Sequence, residues 1–269
     1  MLGVFDSGYG GLSVLRAIHR RLPELSTFYF GDNARAPYGG REQEEIFRFT
    51  LEGVHFLLSR GCPLVIVACN TASAGALRRI QQTVLPREFA ACRVLGVIRP
   101  YAEAAALESK NGHIGVLGTA ATVESGAYSR ELENARRGVV VSEVASPELA
   151  GLVEAGQEKS AAAREAAKRA MDKLLGRDPA IDTVLLACTH FPLVWRTFER
   201  IRPKNVRYLP QASIVAEKLE DYLERHPEIE SHLEKTSRRL YATSAEPVAV
   251  SKLATKFYGQ PIKVVSSES

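Results

Sequence analysis

Along the chain, short runs of aliphatic and β-branched residues alternate with longer segments in which apolar side chains recur every three to four positions. The short runs are Leu2 to Phe5, Thr27 to Phe30, Leu64 to Ala68, Val94 to Val97, Ile114 to Leu117, Val139 to Val144 and Thr183 to Ala187. Runs without polar alternation read as strands buried on both faces. The longer segments, Leu12 to Arg21, Arg41 to Arg60, Ala72 to Val84, Pro100 to Glu108, Ser125 to Ala135 and Ser160 to Leu175, read as amphipathic helices. Strands and helices in turn predict an α/β protein with mainly parallel sheets.

Two pairs of strand ends look alike. Gly3-Val4-Phe5-Asp6-Ser7 resembles Gly115-Val116-Leu117-Gly118-Thr119 at an offset of 112, and Val65 to Thr71 resembles Val184 to His190 at an offset of 119. The same order at nearly the same offset suggests one α/β unit present twice, and hence two pseudo-symmetric domains with a cleft between them. Weak boundaries near Gly96 to Pro100 and Arg207 to Gln211 divide the chain into a first domain, 1–97 plus 210–269, and a second, 98–209. After Pro210 come a charged helix, Ile214 to Arg225, and strand-like Arg239 to Thr243 and Ile262 to Val265. Such strands need a sheet edge, so this segment is expected to return to the first domain.

Composition narrows the class. Among 269 residues 45% are hydrophobic and 25% charged, an ordinary globular balance that excludes general disorder. The net charge of +4 is spread along the chain, so no nucleic-acid partner is expected. No apolar run approaches the roughly eighteen residues that span a bilayer, and no basic, apolar leader opens the chain, so neither membrane insertion nor secretion is expected. Cys62, Cys69, Cys92 and Cys188, separated by 7, 23 and 96 residues, fit neither a disulfide scaffold nor a CxxC metal clip. They read as reduced thiols of a cytoplasmic protein.

In parallel sheets, ligands bind beyond the carboxyl ends of the strands, and four motifs fall there. Asp6-Ser7-Gly8-Tyr9-Gly10-Gly11 is glycine-rich but lacks the third glycine of a dinucleotide fingerprint, where Ser13 stands; Asp32 is only loosely placed for a ribose. A turn exposing Asp6 and Ser7 to a small polar ligand is the better reading, beside a plain helix cap. Gly31 to Gly40 reads as a structured loop carrying charge and the Tyr38 ring. The remaining two are Cys69-Asn70-Thr71 and Cys188-Thr189-His190, thiols set where helix N-termini favour the thiolate. Taken singly, each of these residues is as well explained as a buried spacer, an N-cap or a surface histidine.

Together they point to more. Two equivalent thiols in related half-domains can face one cleft from opposite sides. Inversion of a stereocentre needs that arrangement: one sulfur removes a proton while the other delivers one to the opposite face. A disulfide would need an oxidising compartment, zinc would need ligands beyond His190, and a Cys-His hydrolase would leave one motif unused.

These residues resemble those of the glutamate racemases, within the cofactor-independent aspartate/glutamate racemase superfamily. The motifs that carry the resemblance are Gly3 to Gly8 with Gly10 to Val14, Tyr29 to Asp32, Pro37-Tyr38-Gly39, Val65 to Ala72, Gly115 to Thr119 with Thr122, Leu152-Val153-Glu154, and Leu185 to Leu193, nearly the whole chain. The resemblance implies interconversion of L- and D-glutamate without pyridoxal phosphate or metal, supplying D-glutamate for peptidoglycan. It implies Cys69 and Cys188 as the acid/base pair, with Asp6, Glu154 and His190 as auxiliary ionisable groups. Asp6, Ser7, Tyr38, Gly39, Asn70, Thr71, Thr119, Thr122, Thr189 and His190 would hold the substrate, and a homodimer is expected.

Two departures stand out. Ser146 occupies a position where many relatives have cysteine, without touching the chemistry, and Leu209 to Ile214 leaves the C-terminal contribution to the cleft open. An aspartate or broader amino-acid racemase, a binding protein that has lost catalysis, and a nucleotide-dependent oxidoreductase are the competing readings.

Overall fold

The computed structural model describes residues 1–267. Its strands form two sheets, parallel throughout. The first combines β1 (Leu2–Asp6), β2 (Thr27–Gly31), β3 (Leu64–Val67) and β4 (Arg93–Gly96) with β9 (Arg239–Thr243) and β10 (Val265–Ser266), in the order β10-β9-β2-β1-β3-β4. The second contains β5 (His113–Gly118), β6 (Val140–Ala145), β7 (Thr183–Ala187) and β8 (Arg207–Tyr208), in the order β6-β5-β7-β8. Each sheet therefore repeats one plan, second-first-third-fourth, with β5 standing for β1 and β7 for β3. The α/β class and the duplicated unit read from the strand ends are both present in this topology.

The strands lack polar alternation because apolar layers cover both faces. In β3 and the residues just after it, Leu64, Ile66 and Ala68 face one core while Val65, Val67 and Cys69 face another. β7 and the residue just after it divide in the same way, Val184, Leu186 and Cys188 against Leu185 and Ala187. The first of these cores is shared by the two sheets and includes Leu12, Leu15 and Ile18 of the helix Gly11–Arg21. The helix Gln211–Arg225 buries Val215, Leu219 and Leu223 there and packs against both Gly11–Arg21 and Ile98–Glu108, so it bridges the halves of the molecule.

Some elements differ from expectation. The helix foreseen over Ala72 to Val84 is broken into Asn70–Gly75, Leu77–Arg79, a wide turn at Ile80–Val84 and Leu85–Glu88. Pro86, which brings no amide hydrogen, stands in the first turn of the last piece. The strand foreseen at Ile262 to Val265 is confined to Val265–Ser266, because Ile262 and Val264 pack on the shared core instead of pairing. Elements not read from the sequence include β8 and the helices Pro147–Glu154, Trp195–Ile201, Pro227–Glu230 and Pro247–Tyr258. Among the described residues no helix is long and apolar enough to cross a membrane.

Candidate active site

In each sheet the chain runs to one side of the first strand and then crosses to the other, which opens a crevice at the carboxyl ends of the first and third strands. Asp6 ends β1 and Ser7 follows it, Cys69 follows β3, Thr119 follows β5 and Cys188 follows β7. The Ser7 hydroxyl lies 3.2 Å from the Cys69 sulfur across the first crevice. Cys69 also caps the helix Asn70–Gly75, its Sγ accepting the Ala72 amide at 3.4 Å.

The two crevices face each other. Thr71 Oγ1 of the first lies 2.9 Å from Thr119 Oγ1 and 3.3 Å from Thr122 Oγ1 of the second, and Thr119 and Thr122 are 2.9 Å apart. Gly10 packs so closely on Thr189 that a β-carbon there would sit 2.1 Å from its Oγ1. Gly39 packs likewise on Thr119, at 2.7 Å, and its carbonyl accepts the Ala121 amide at 3.1 Å. Glycine at these two positions is a matter of space: the loops meet only where no side chain intervenes.

The thiols sit in different surroundings. Burial, reinforced by the Asp6 charge, pushes the Cys69 thiol up to about 12, so it holds its proton at neutral pH. Cys188 lies 3.6 Å from Nδ1 of His190, whose Nε2 is 2.9 Å from Glu154 Oε1. Burial opposes a charged ring, yet the sulfur on one side and the carboxylate on the other hold His190 well above the usual histidine range. The Phe257 ring meets that imidazole edge-on at 5.5 Å. A carboxylate, an imidazolium and a sulfur in sequence form a relay that can stabilise negative charge on Cys188.

Asp6 is fully buried, and burial raises its carboxyl, opposed by His190 and by the amides of Gly11 and Gly8. Its Oδ2 accepts the Gly8 amide at 3.0 Å, whereas Oδ1 has no partner of normal hydrogen-bond geometry. An unmet buried acceptor beside both crevices suits a cationic group of a ligand.

Tyr38 is placed differently from a side chain aimed at substrate. Its ring is buried against Phe49, and its hydroxyl donates to Asp32. Asp32 also accepts Arg35 Nε at 2.7 Å and Ser244 Oγ at 2.6 Å. Asp32 thus anchors the loop that carries Tyr38 and Gly39, and the backbone of that loop is what reaches the second sheet. Asn70 is held by Gln211 and Tyr128, neither foreseen from the sequence. Cys62 is buried in the core behind the first sheet, its thiol pushed up by burial to about 11. Cys92 is half-buried, and all four thiols are free. No group of three or more His, Cys, Asp or Glu among the described residues is arranged to hold a metal ion.

The Asp/Glu/Hydantoin racemase family model matches residues 2–217. The chain belongs to this family. Within the family it is similar to the glutamate racemase of Paracoccus denitrificans (strain Pd 1222), 42% identical over 277 residues that cover 99% of each chain. Among solved structures it is similar to glutamate racemase isoform RacE1 of Bacillus anthracis, with a TM-score of 0.89 and 34% identity over 99% of this chain and 96% of the other. The glutamate racemase of Aquifex pyrophilus matches with a TM-score of 0.80 and 33% identity, covering 100% and 98%. The resemblance read from the motifs and the two-domain α/β fold read from the duplicated strand ends are borne out by these matches.

Proposed function

We propose that the protein is a glutamate racemase that inverts Cα with Cys69 and Cys188 as its two acid/base groups, without cofactor. The observation that carries the reading is the pair of thiols at equivalent strand ends, set in crevices that face each other through the Thr71, Thr119 and Thr122 hydroxyls. One sulfur takes the α proton while the other gives its own to the opposite face. In one direction Cys188 acts as the thiolate, held in that form by the protonated His190 beside it, and accepts the α proton, while the Cys69 thiol delivers its own and is left as the thiolate. In the other direction the roles exchange.

The α proton is only weakly acidic, so negative charge developing on the substrate must be met by fixed donors. Thr71, Thr119, Thr122, Thr189, Asn70 and the loop amides near Gly39 supply these, and the unmet Asp6 Oδ1 receives the ammonium. Each well-placed donor of this kind contributes about 3 kcal/mol to the transition state. Closing the cleft removes water and strengthens every such contact.

The product D-glutamate serves peptidoglycan assembly in the cytoplasm, and the enzyme works as a homodimer, as the family resemblance implies. The purified protein, incubated with D-glutamate in deuterated water without added cofactor, is expected to lose optical rotation and the α proton together. Retention of both, with aspartate turned over instead, would move the assignment to aspartate.

A further inference from the structure

We propose that Gln211 is a positioning residue for Asn70, fixing its carboxamide so that it offers an N–H to a carboxylate of the substrate. The inference rests on the racemase reading above and adds a residue to it from the crossover that enters the C-terminal segment.

Three separate stretches of chain meet at this point. Asn70 Oδ1 accepts the Tyr128 hydroxyl at 2.6 Å and Gln211 Nε2 at 2.8 Å, while Asn70 Nδ2 donates to Gln211 Oε1 at 3.0 Å. Gln211 Nε2 also reaches the Tyr128 oxygen at 3.2 Å, closing the ring. All three side chains are buried. A carboxamide oxygen has two lone pairs and its nitrogen two hydrogens. The Asn70 oxygen is therefore fully used, and one N–H remains. What Asn70 can give a ligand is a donor, which suits a carboxylate and not an ammonium group.

Asp6 is the complement, a buried acceptor with an unmet oxygen on the neighbouring strand end. The two residues thus divide the charges of an α-amino acid between them. Asn70 directly follows Cys69, so the carboxylate it holds lies next to the carbon that the sulfur must reach.

Gln211 is itself held. Tyr101 donates its hydroxyl to the Leu209 carbonyl at 2.8 Å, accepts the Leu186 amide at 3.2 Å, and sets its ring edge-on to Tyr128 at 6.3 Å. The backbone two residues before Gln211 is thereby tied to β7, the strand that ends at Cys188. Glutamine is the residue type that both donates to Asn70 Oδ1 and accepts from Asn70 Nδ2. Methionine matches its shape and does neither; glutamate only accepts.

The test is a double-mutant cycle on glutamate racemisation, using wild type, Gln211→Met, Asn70→Ala and the pair. Gln211→Met is expected to keep the wild-type circular dichroism and to raise KM about tenfold, the value of one hydrogen bond to a charged group, with a smaller change in kcat. Gln211→Glu should raise KM further, because it loses the donor and brings a negative charge near the bound carboxylate. In the Asn70→Ala background, Gln211→Met should change nothing more. Multiplying effects, or an unchanged KM in Gln211→Met, would overturn the proposal. If Gln211→Met does not fold, Tyr128→Phe and Gln211→Glu complete the same cycle. A wild-type chain inert toward both enantiomers would overturn the racemase reading with it; an active one matched by Gln211→Met overturns this proposal alone.

Discussion

Nε2 of His190 lies 2.9 Å from Oε1 of Glu154, on the far side of the imidazole from the Cys188 sulfur. The carboxylate helps to keep the ring charged against the cost of burial. A histidine whose pKa is raised in this way keeps its proton from low pH upward and loses it only above the usual range. Glu154→Gln removes a negative charge and so lowers that limit. The alkaline limb of kcat/KM against pH is expected to move to lower pH in Glu154→Gln, with kcat/KM near neutrality reduced about tenfold or more. An unmoved alkaline limb would remove His190 from the chemistry of Cys188.

Cys69→Ala and Cys188→Ala are each expected to abolish racemisation, since loss of a general acid or base costs about a hundredfold to ten-thousandfold. Each variant is expected to retain exchange of the α proton with solvent for one enantiomer only, the one whose proton faces the remaining sulfur. Proton NMR in deuterated water reads both effects. Ordinary racemisation by either variant would rule out the two-sulfur scheme. Cys62→Ala and Cys92→Ala should alter stability alone.

Tyr38→Phe separates the loop backbone from the phenol. The hydroxyl is committed to Asp32, so its removal should cost about 1–3 kcal/mol of stability by taking one hydrogen bond from a buried carboxylate that keeps Arg35 and Ser244, while KM for glutamate changes less than about threefold. Thermal unfolding and steady-state kinetics measure the two. A large rise in KM with unaltered stability would return the hydroxyl to the substrate.

His19 makes folding depend on pH well away from the cleft. Its ring is buried between Tyr258, 2.7 Å from Nδ1, and Thr27, 2.8 Å from Nε2; Tyr258 also accepts from Arg239. Burial, helped by the Arg239 charge, lowers the imidazole to about 4. A depressed pKa means that the unfolded chain binds the proton first, so stability is complete above the unfolded value near 6.5 and falls as pH drops toward 4. The change is about 3 kcal/mol for this one ring. Urea midpoints measured from pH 7 to pH 4 should fall less steeply in His19→Gln than in wild type. Parallel curves would refute the assignment.

The linear pattern of residues already determined much of this protein. Buried strands declare themselves because both faces of a parallel sheet are covered, so Leu64 to Val67 and Thr183 to Ala187 carry no polar residue beyond Thr183. The cysteine motifs were legible because strand ends are local, and duplication wrote the same local phrase twice. Ser7 near Cys69, and Glu154 behind His190, are contacts between residues that the motifs had already singled out.

Only the tertiary structure decided what each polar group is bonded to. The Tyr38 hydroxyl is bonded to Asp32, and Asp32 itself is fixed partly by Ser244, 212 positions away. Gln211 and Tyr128 carry no local signature, since their partner Asn70 lies 141 and 58 positions distant. Hydrophobic periodicity reports burial, which one element can show by itself. A buried hydrogen bond depends on donor and acceptor being brought within about 3 Å, and distance along the chain says nothing about that.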